Sequence, residues 1–166
     1  MSVPGKDPLP RLFLLRHAAA ENREAWSGED SLRPLTTKGE RTARSVARAV
    51  ARLAESPAVV VTSPYTRAAQ TAAILAKTLG PGTEVILDER LVAALAPHDV
   101  LDILRSHPRA ASVFLVGHEP NLSDTAAELC GGGRLRMKKS GVACIEVDDD
   151  GRGELAWLAQ PDQLVP

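Results

Sequence analysis

The chain has 166 residues, 44% hydrophobic and 25% charged, with 20 basic against 21 acidic side chains and a net charge of −1. That is one domain's length of chain, able to bury a core without disulfides or metal. The missing basic excess speaks against nucleic acid or a membrane surface as partner. Cys130 and Cys144 share no CxxC spacing, so neither a zinc site nor a disulfide framework is expected. No stretch has the length of a signal h-region or a membrane span, and the expected location is the cytoplasm.

Residues 1–10, rich in Pro and Gly, are expected to be a flexible lead-in to a single domain over residues 11–166. Leu12–Leu15 is a short continuous apolar run, and Ala58–Val61 and Val113–Val116 are two more. Such runs, apolar on both faces and separated by helical patterns, mark central parallel strands. Thr37-Lys38-Gly39-Glu40 reads as a capping box with Thr37 as N-cap. Behind it Ala43, Val46, Ala47, Val50 and Leu53 repeat at helical spacing, with Arg41, Arg44, Arg48 and Arg52 on the solvated face. A second helix is expected from Ser63-Pro64, Ser63 as cap, to the stop at Gly80-Pro81-Gly82.

Val85–Leu87 follows as a short strand, and Asp99–Ser106 as a helix capped by Asp99. Asn121–Leu129 is another helix, closed by Gly131-Gly132-Gly133. Val142–Val147 and Glu154–Leu158 flank Asp148-Asp149-Asp150-Gly151 as a C-terminal hairpin. The order predicts an α/β fold: three layers (α/β/α) around a mostly parallel central sheet with a C-terminal hairpin. Ligands of such sheets bind beyond the carboxyl ends of the strands.

The residues there carry the functional signal. The first strand ends in Arg16-His17, the second in Thr62-Ser63-Pro64 with Arg67 close behind, the fourth in Gly117-His118-Glu119-Pro120. Guanidinium forks match phosphate oxygens, and helix N-termini favour anions. A neutral imidazole is a competent nucleophile near pH 7. One histidine of this group can attack phosphorus while the arginines and the second histidine hold the oxygens. His17, His98, His107 and His118 match no zinc signature, and no metal or other cofactor is expected.

Leu14-Leu15-Arg16-His17-Ala18, Leu35-Thr36-Thr37-Lys38-Gly39, Thr62-Ser63-Pro64-Tyr65-Thr66-Arg67-Ala68-Ala69-Gln70-Thr71 and Val116-Gly117-His118-Glu119-Pro120 together resemble the histidine phosphatase (phosphoglycerate mutase-like) superfamily. The resemblance spans roughly Leu12 to Leu158. The short chain, Arg33-Pro34-Leu35-Thr36 and Lys139-Ser140-Gly141-Val142-Ala143 look most like its SixA-type phosphohistidine phosphatases.

The resemblance implies a phosphoglycerate mutase-like fold. It makes His17 a nucleophile that is transiently phosphorylated, Arg16 and Arg67 grips on the phosphate, and His118 a donor to a phosphate oxygen. Ala18 stands where the family usually has Gly, so the backbone there is expected to need no positive φ. Asn22 is off the spacing at which relatives place a phosphate-touching Asn. The acid that protonates an ester leaving group has only Glu89, His98 and Asp99 as candidates. A site without a dedicated acid suits phosphohistidine, whose imidazole departs more readily than an alkoxide. The expected partner is a phosphorylated protein, or a small phosphate ester if Glu89 or Asp99 is the acid. A non-catalytic phosphate-binding module is the remaining alternative.

Overall fold

The computed structural model describes residues 8–165. The lead-in expected over residues 1–10 lies outside them as far as residue 7, and Leu9 packs against the core. The apolar runs are strands: β1 (Arg11–Arg16), β2 (Ala58–Thr62) and, after the short β3 (Glu84–Leu87), β4 (Ser112–Gly117). The hairpin is β5 (Val142–Val147) and β6 (Gly153–Ala159). Between them lie α1 (Thr37–Ala51), α2 (Thr66–Leu79), α3 (Pro97–Ser106) and α4 (Asn121–Leu129), and a short α5 (Pro161–Leu164) follows β6.

All six strands form one sheet in the order β3-β2-β4-β1-β5-β6. The pairs β3–β2, β2–β4 and β4–β1 are parallel, while β1–β5 and β5–β6 are antiparallel. Alternation along each central strand feeds two cores. Leu12, Leu14, Val113 and Leu115 pack with Val100, Ile103 and Leu104 of α3 and with Leu122, Ala126 and Leu129 of α4. Phe13, Leu15, Phe114 and Val116 pack with Val46, Ala47 and Val50 of α1 and with Ala68, Ala72 and Leu75 of α2. Phe13 stacks on Phe114 at 4.6 Å between ring centroids. Each such fully buried side chain contributes about 1.5–3 kcal/mol, so both faces of the sheet need their helices. The three layers and the mostly parallel sheet are as the element order predicts.

Three helix starts differ from the sequence reading. Thr36, not Thr37, caps α1, its Oγ1 accepting from Gly39 N–H at 2.9 Å. The helix α2 starts at Thr66, later than Ser63-Pro64, because the Ser63 hydroxyl closes a turn onto Tyr65 N–H (3.2 Å) instead. Asp99 is not the cap of α3. It stands in the first turn behind Pro97 and accepts the Ala96 N–H at 3.0 Å, since proline suits a position that has no N–H to satisfy.

The loop after β1 is clamped to the start of α1. Thr36 N–H donates to Ala19 O at 3.0 Å, and Ala20 bridges Leu35. Gly39 sits so close that a Cβ there would lie 2.0 Å from Ala19 O. Ala18 has no positive φ, since Ser140 is the only non-glycine in that region among the described residues.

Candidate active site

Three central strands end side by side. Arg16 of β1 is in register with Gly117 of β4, and Thr62 of β2 with Val116. The ladder runs one residue further, with His17 N–H donating to Gly117 O and Ser63 N–H to Val116 O, each at 3.0 Å. This register sets His17, Ser63 and His118 on one rim, with the two imidazole centroids 5.2 Å apart. Arg67 joins them from the first turn of α2.

His17 is 7% exposed, with Nδ1 at 2.7 Å from Ala18 O. A carbonyl only accepts, so Nδ1 carries the proton and Nε2 keeps its lone pair. Burial pushes the His17 pKa down to about 3, against the pull of Ala18 O and with help from His118, Arg67 and Arg16. The ring is therefore neutral at pH 7. Burial and then Arg67 push His118 down to about 4, with Asp30 opposing. His118 Nε2 lies 2.8 Å from Ser63 Oγ. Ser63 Oγ also accepts Tyr65 N–H, and its hydroxyl keeps both a proton and a second lone pair, so the contact fits either tautomer of the ring. With Ser63 as the donor, Nδ1 of His118 holds the ring's single N–H.

The two guanidinium groups are held by carbonyl and carboxylate oxygens. Arg16 Nη1 donates to Met137 O at 3.0 Å. Arg67 gives Nη1 to Asp30 O at 2.8 Å and Nη2 to Asp30 Oδ2 at 3.0 Å. Arg33 Nε takes the other oxygen of Asp30 at 3.0 Å. Despite the cost of its partial burial, the Asp30 carboxyl is held below the usual range by Arg33 and Arg67. Tyr65 lies edge-on against His118 at 5.1 Å and under Arg67 at 5.0 Å.

Among the described residues, the buried side-chain polar atoms without a partner are Arg16 Nε, Arg67 Nε, His118 Nδ1 and Ser140 Oγ. Ser140 belongs to the same rim, its N–H shared between Arg16 O and His17 O at 3.2 Å each. An unpaired buried polar group costs about 1–3 kcal/mol. His118, Arg67 and Arg16 are close enough to act on the charge of His17, and unpartnered groups of this kind beside a lone-pair nitrogen suit a tetrahedral oxyanion.

The structure thus brings together Arg16, His17, Arg67 and His118. The other candidates lie apart from this group, exposed or engaged in local contacts. Asn22 is exposed and closes its own turn, Oδ1 accepting Glu24 N–H at 2.8 Å. Glu89 is exposed, and Asp99 faces His98 at 3.6 Å and Arg90 at 3.9 Å. His107 ends α3. Asp30 and the hydroxyl of Ser140 were not singled out from the sequence. Arg33, three residues after Asp30, was the one local sign of the acid.

The profile of the histidine phosphatase superfamily (branch 1) matches residues 12–93. Phosphohistidine phosphatase SixA of Escherichia coli (strain K12) is 30% identical over 162 residues, covering 93% of this chain and 96% of its own. This chain belongs to the histidine phosphatase superfamily. An uncharacterized protein of Picosynechococcus sp. is 34% identical over 172 residues, covering 93% of this chain and 99% of its own. Among solved structures, the protein histidine phosphatase SixA complexed with tungstate superposes with a TM-score of 0.80 at 28% identity, covering 93% and 99% of the two chains. The fold is shared by more distantly similar proteins. A mycobacterial glucosyl-3-phosphoglycerate phosphatase reaches a TM-score of 0.69 at 20% identity, covering 89% and 98%. Histidine phosphatase membership supports phosphatase activity. Among the described residues no helix is long and apolar enough to cross a membrane.

Proposed function

We propose that this protein removes the phosphoryl group from phosphohistidine on a protein, using His17 as nucleophile. The observation that carries the reading is the buried, neutral His17, its Nδ1–H tied to Ala18 O, beside unpartnered nitrogens of Arg16, Arg67 and His118. The Nε2 lone pair forms the new N–P bond, and the substrate's N–P bond breaks with its electron pair leaving on the substrate imidazole. That imidazole departs neutral when its other nitrogen already carries a proton. Arg16, Arg67 and the His118 Nδ1–H bind the three non-bridging oxygens through transfer. Water then adds to phosphorus, its protons staying on the released phosphate, and the electron pair returns to His17 Nε2.

The substrate class follows from what surrounds the site. Asp99 is tied to the start of α3 and Glu89 is exposed on the surface, so neither is a buried acid built into the site for an alkoxide leaving group. The similarity to phosphohistidine phosphatase SixA of Escherichia coli supports the same choice. The test is phosphate release from a phosphohistidine-bearing protein and from small phosphate esters. The wild type clears the phosphoprotein, and His17→Ala lowers the rate by about 10³-fold or more. Ester turnover with the phosphoprotein left intact would overturn the reading.

A further inference from the structure

The segment between α4 and β5 takes no part in that chemistry, yet it borders the site. Arg134-Leu135-Arg136-Met137-Lys138-Lys139 places four of the chain's 20 basic side chains within six residues. The segment is neither helix nor strand, but it is fixed by side chains that bind its backbone. Gln160 Nε2 donates to Arg136 O and Gln160 Oε1 accepts Lys138 N–H, both at 2.8 Å. Ser123 Oγ accepts Met137 N–H at 3.1 Å, and Met137 O receives Arg16 Nη1 at 3.0 Å. Met137 is buried and Leu135 packs on the core, which turns Arg134, Arg136, Lys138 and Lys139 outward as exposed residues. Lys138 faces Asp162 at 3.7 Å. Arg134, Arg136 and Lys139 have no acidic partner among the described residues.

A charge run on a flexible loop is ordinarily just solvated. This one is a strip pinned through its backbone, at most about 20 Å long, and hydrogen-bonded to the guanidinium of Arg16. Resting on the phosphohistidine reading above, we propose that the strip docks an acidic segment of the phosphorylated protein beside the site. The chain as a whole is net negative, so its remaining surface repels a long polyanion or an anionic bilayer, whereas a short acidic segment meets the strip alone.

The test uses two peptides, each with one phosphohistidine, flanked by glutamates in one and by lysines in the other. At low salt the wild type prefers the acidic peptide in kcat/KM by about tenfold or more, and high salt shrinks the preference. The triple variant Arg134→Ser, Arg136→Ser, Lys139→Ser brings the ratio near one. A ratio equal in wild type and variant overturns the proposal. A second arm needs no turnover: binding of an unphosphorylated oligoglutamate peptide, a DNA oligonucleotide and phosphatidylserine vesicles. Binding of oligoglutamate by the wild type and not by the variant supports the strip, whereas preference for DNA or vesicles overturns it. If neither phosphopeptide is hydrolysed, the catalytic reading fails and the binding arm still decides the strip.

Discussion

On the proposed mechanism, a single hydroxyl sets which nitrogen of His118 carries the proton offered to the phosphate. Ser63 Oγ accepts Tyr65 N–H and lies 2.8 Å from His118 Nε2; as the donor to Nε2 it leaves the N–H on Nδ1. Removing it frees the ring to take the other tautomer. Ser63→Ala is expected to lower kcat/KM by about tenfold, the rate equivalent of one hydrogen bond, and Ser63→Thr to restore it. Equal rates for Ser63→Ala and wild type would remove the assignment. Asp30 acts on Arg67 in a comparable way, since it accepts from both Nη groups. Asp30→Asn is expected to raise KM several-fold more than it lowers kcat, because the guanidinium keeps its charge and its bond to the carbonyl of residue 30 but loses the carboxylate's charge-assisted hold. Steady-state kinetics on either substrate class checks this. The histidines and Arg16 were legible because each follows an apolar run by one or two residues, and Arg67 because it lies in the first turn of the helix after one. Asp30 was not, because its contact with Arg67 spans 37 positions of chain and no local pattern reports such a pairing.

At the scale of elements, apolar runs located the strands, and helical periodicity located the helices between them. What the sequence misplaced were helix starts, because a Thr, Ser or Asp near a helix has several acceptors and donors to choose from. Thr36 and Thr37 are chemically alike, and only the fold decides that Thr36 turns its hydroxyl onto Gly39 N–H. Ser63 was drawn away from capping by His118 and the Tyr65 turn. The register between β1 and the start of α1 depends on Gly39 for a different reason. A Cβ there would meet backbone, Ala19 O at 2.0 Å and Ala19 C at 2.9 Å, and backbone gives way less easily than a flexible side chain. Gly39→Ala is therefore expected to destabilise by about 2–4 kcal/mol in spite of alanine's better helix propensity. It also displaces the loop whose Ala18 O orients His17, so activity falls in whatever fraction stays folded. Denaturant unfolding and kcat measured on the folded fraction check the two effects separately. A variant as stable as wild type would show that the close approach relaxes freely.

For the whole molecule, keeping two imidazoles buried and neutral ties stability to pH. The folded-state pKa values of His17 and His118 are about 3 and about 4, while an unfolded histidine titrates near 6.5. Between these limits the unfolded chain takes up protons that the folded chain refuses. Stability from this source is complete above about pH 6.5 and is lost as the pH falls toward the folded values. The slope approaches about 1.4 kcal/mol per pH unit for each histidine. Asp30 and Asp88 have carboxyls held below their usual range by arginine partners, and their contribution disappears only at lower pH, as those carboxylates protonate. The two windows can thus be separated. Urea unfolding midpoints are expected to drop between about pH 7 and pH 4.5, and the double variant His17→Asn, His118→Asn to flatten that drop. Parallel curves for wild type and variant would mean that the histidines are charged in the folded protein. In that case His17 would lack its lone pair at acidic pH, and the acid limb of the activity profile would rise near pH 6.5 instead of well below it.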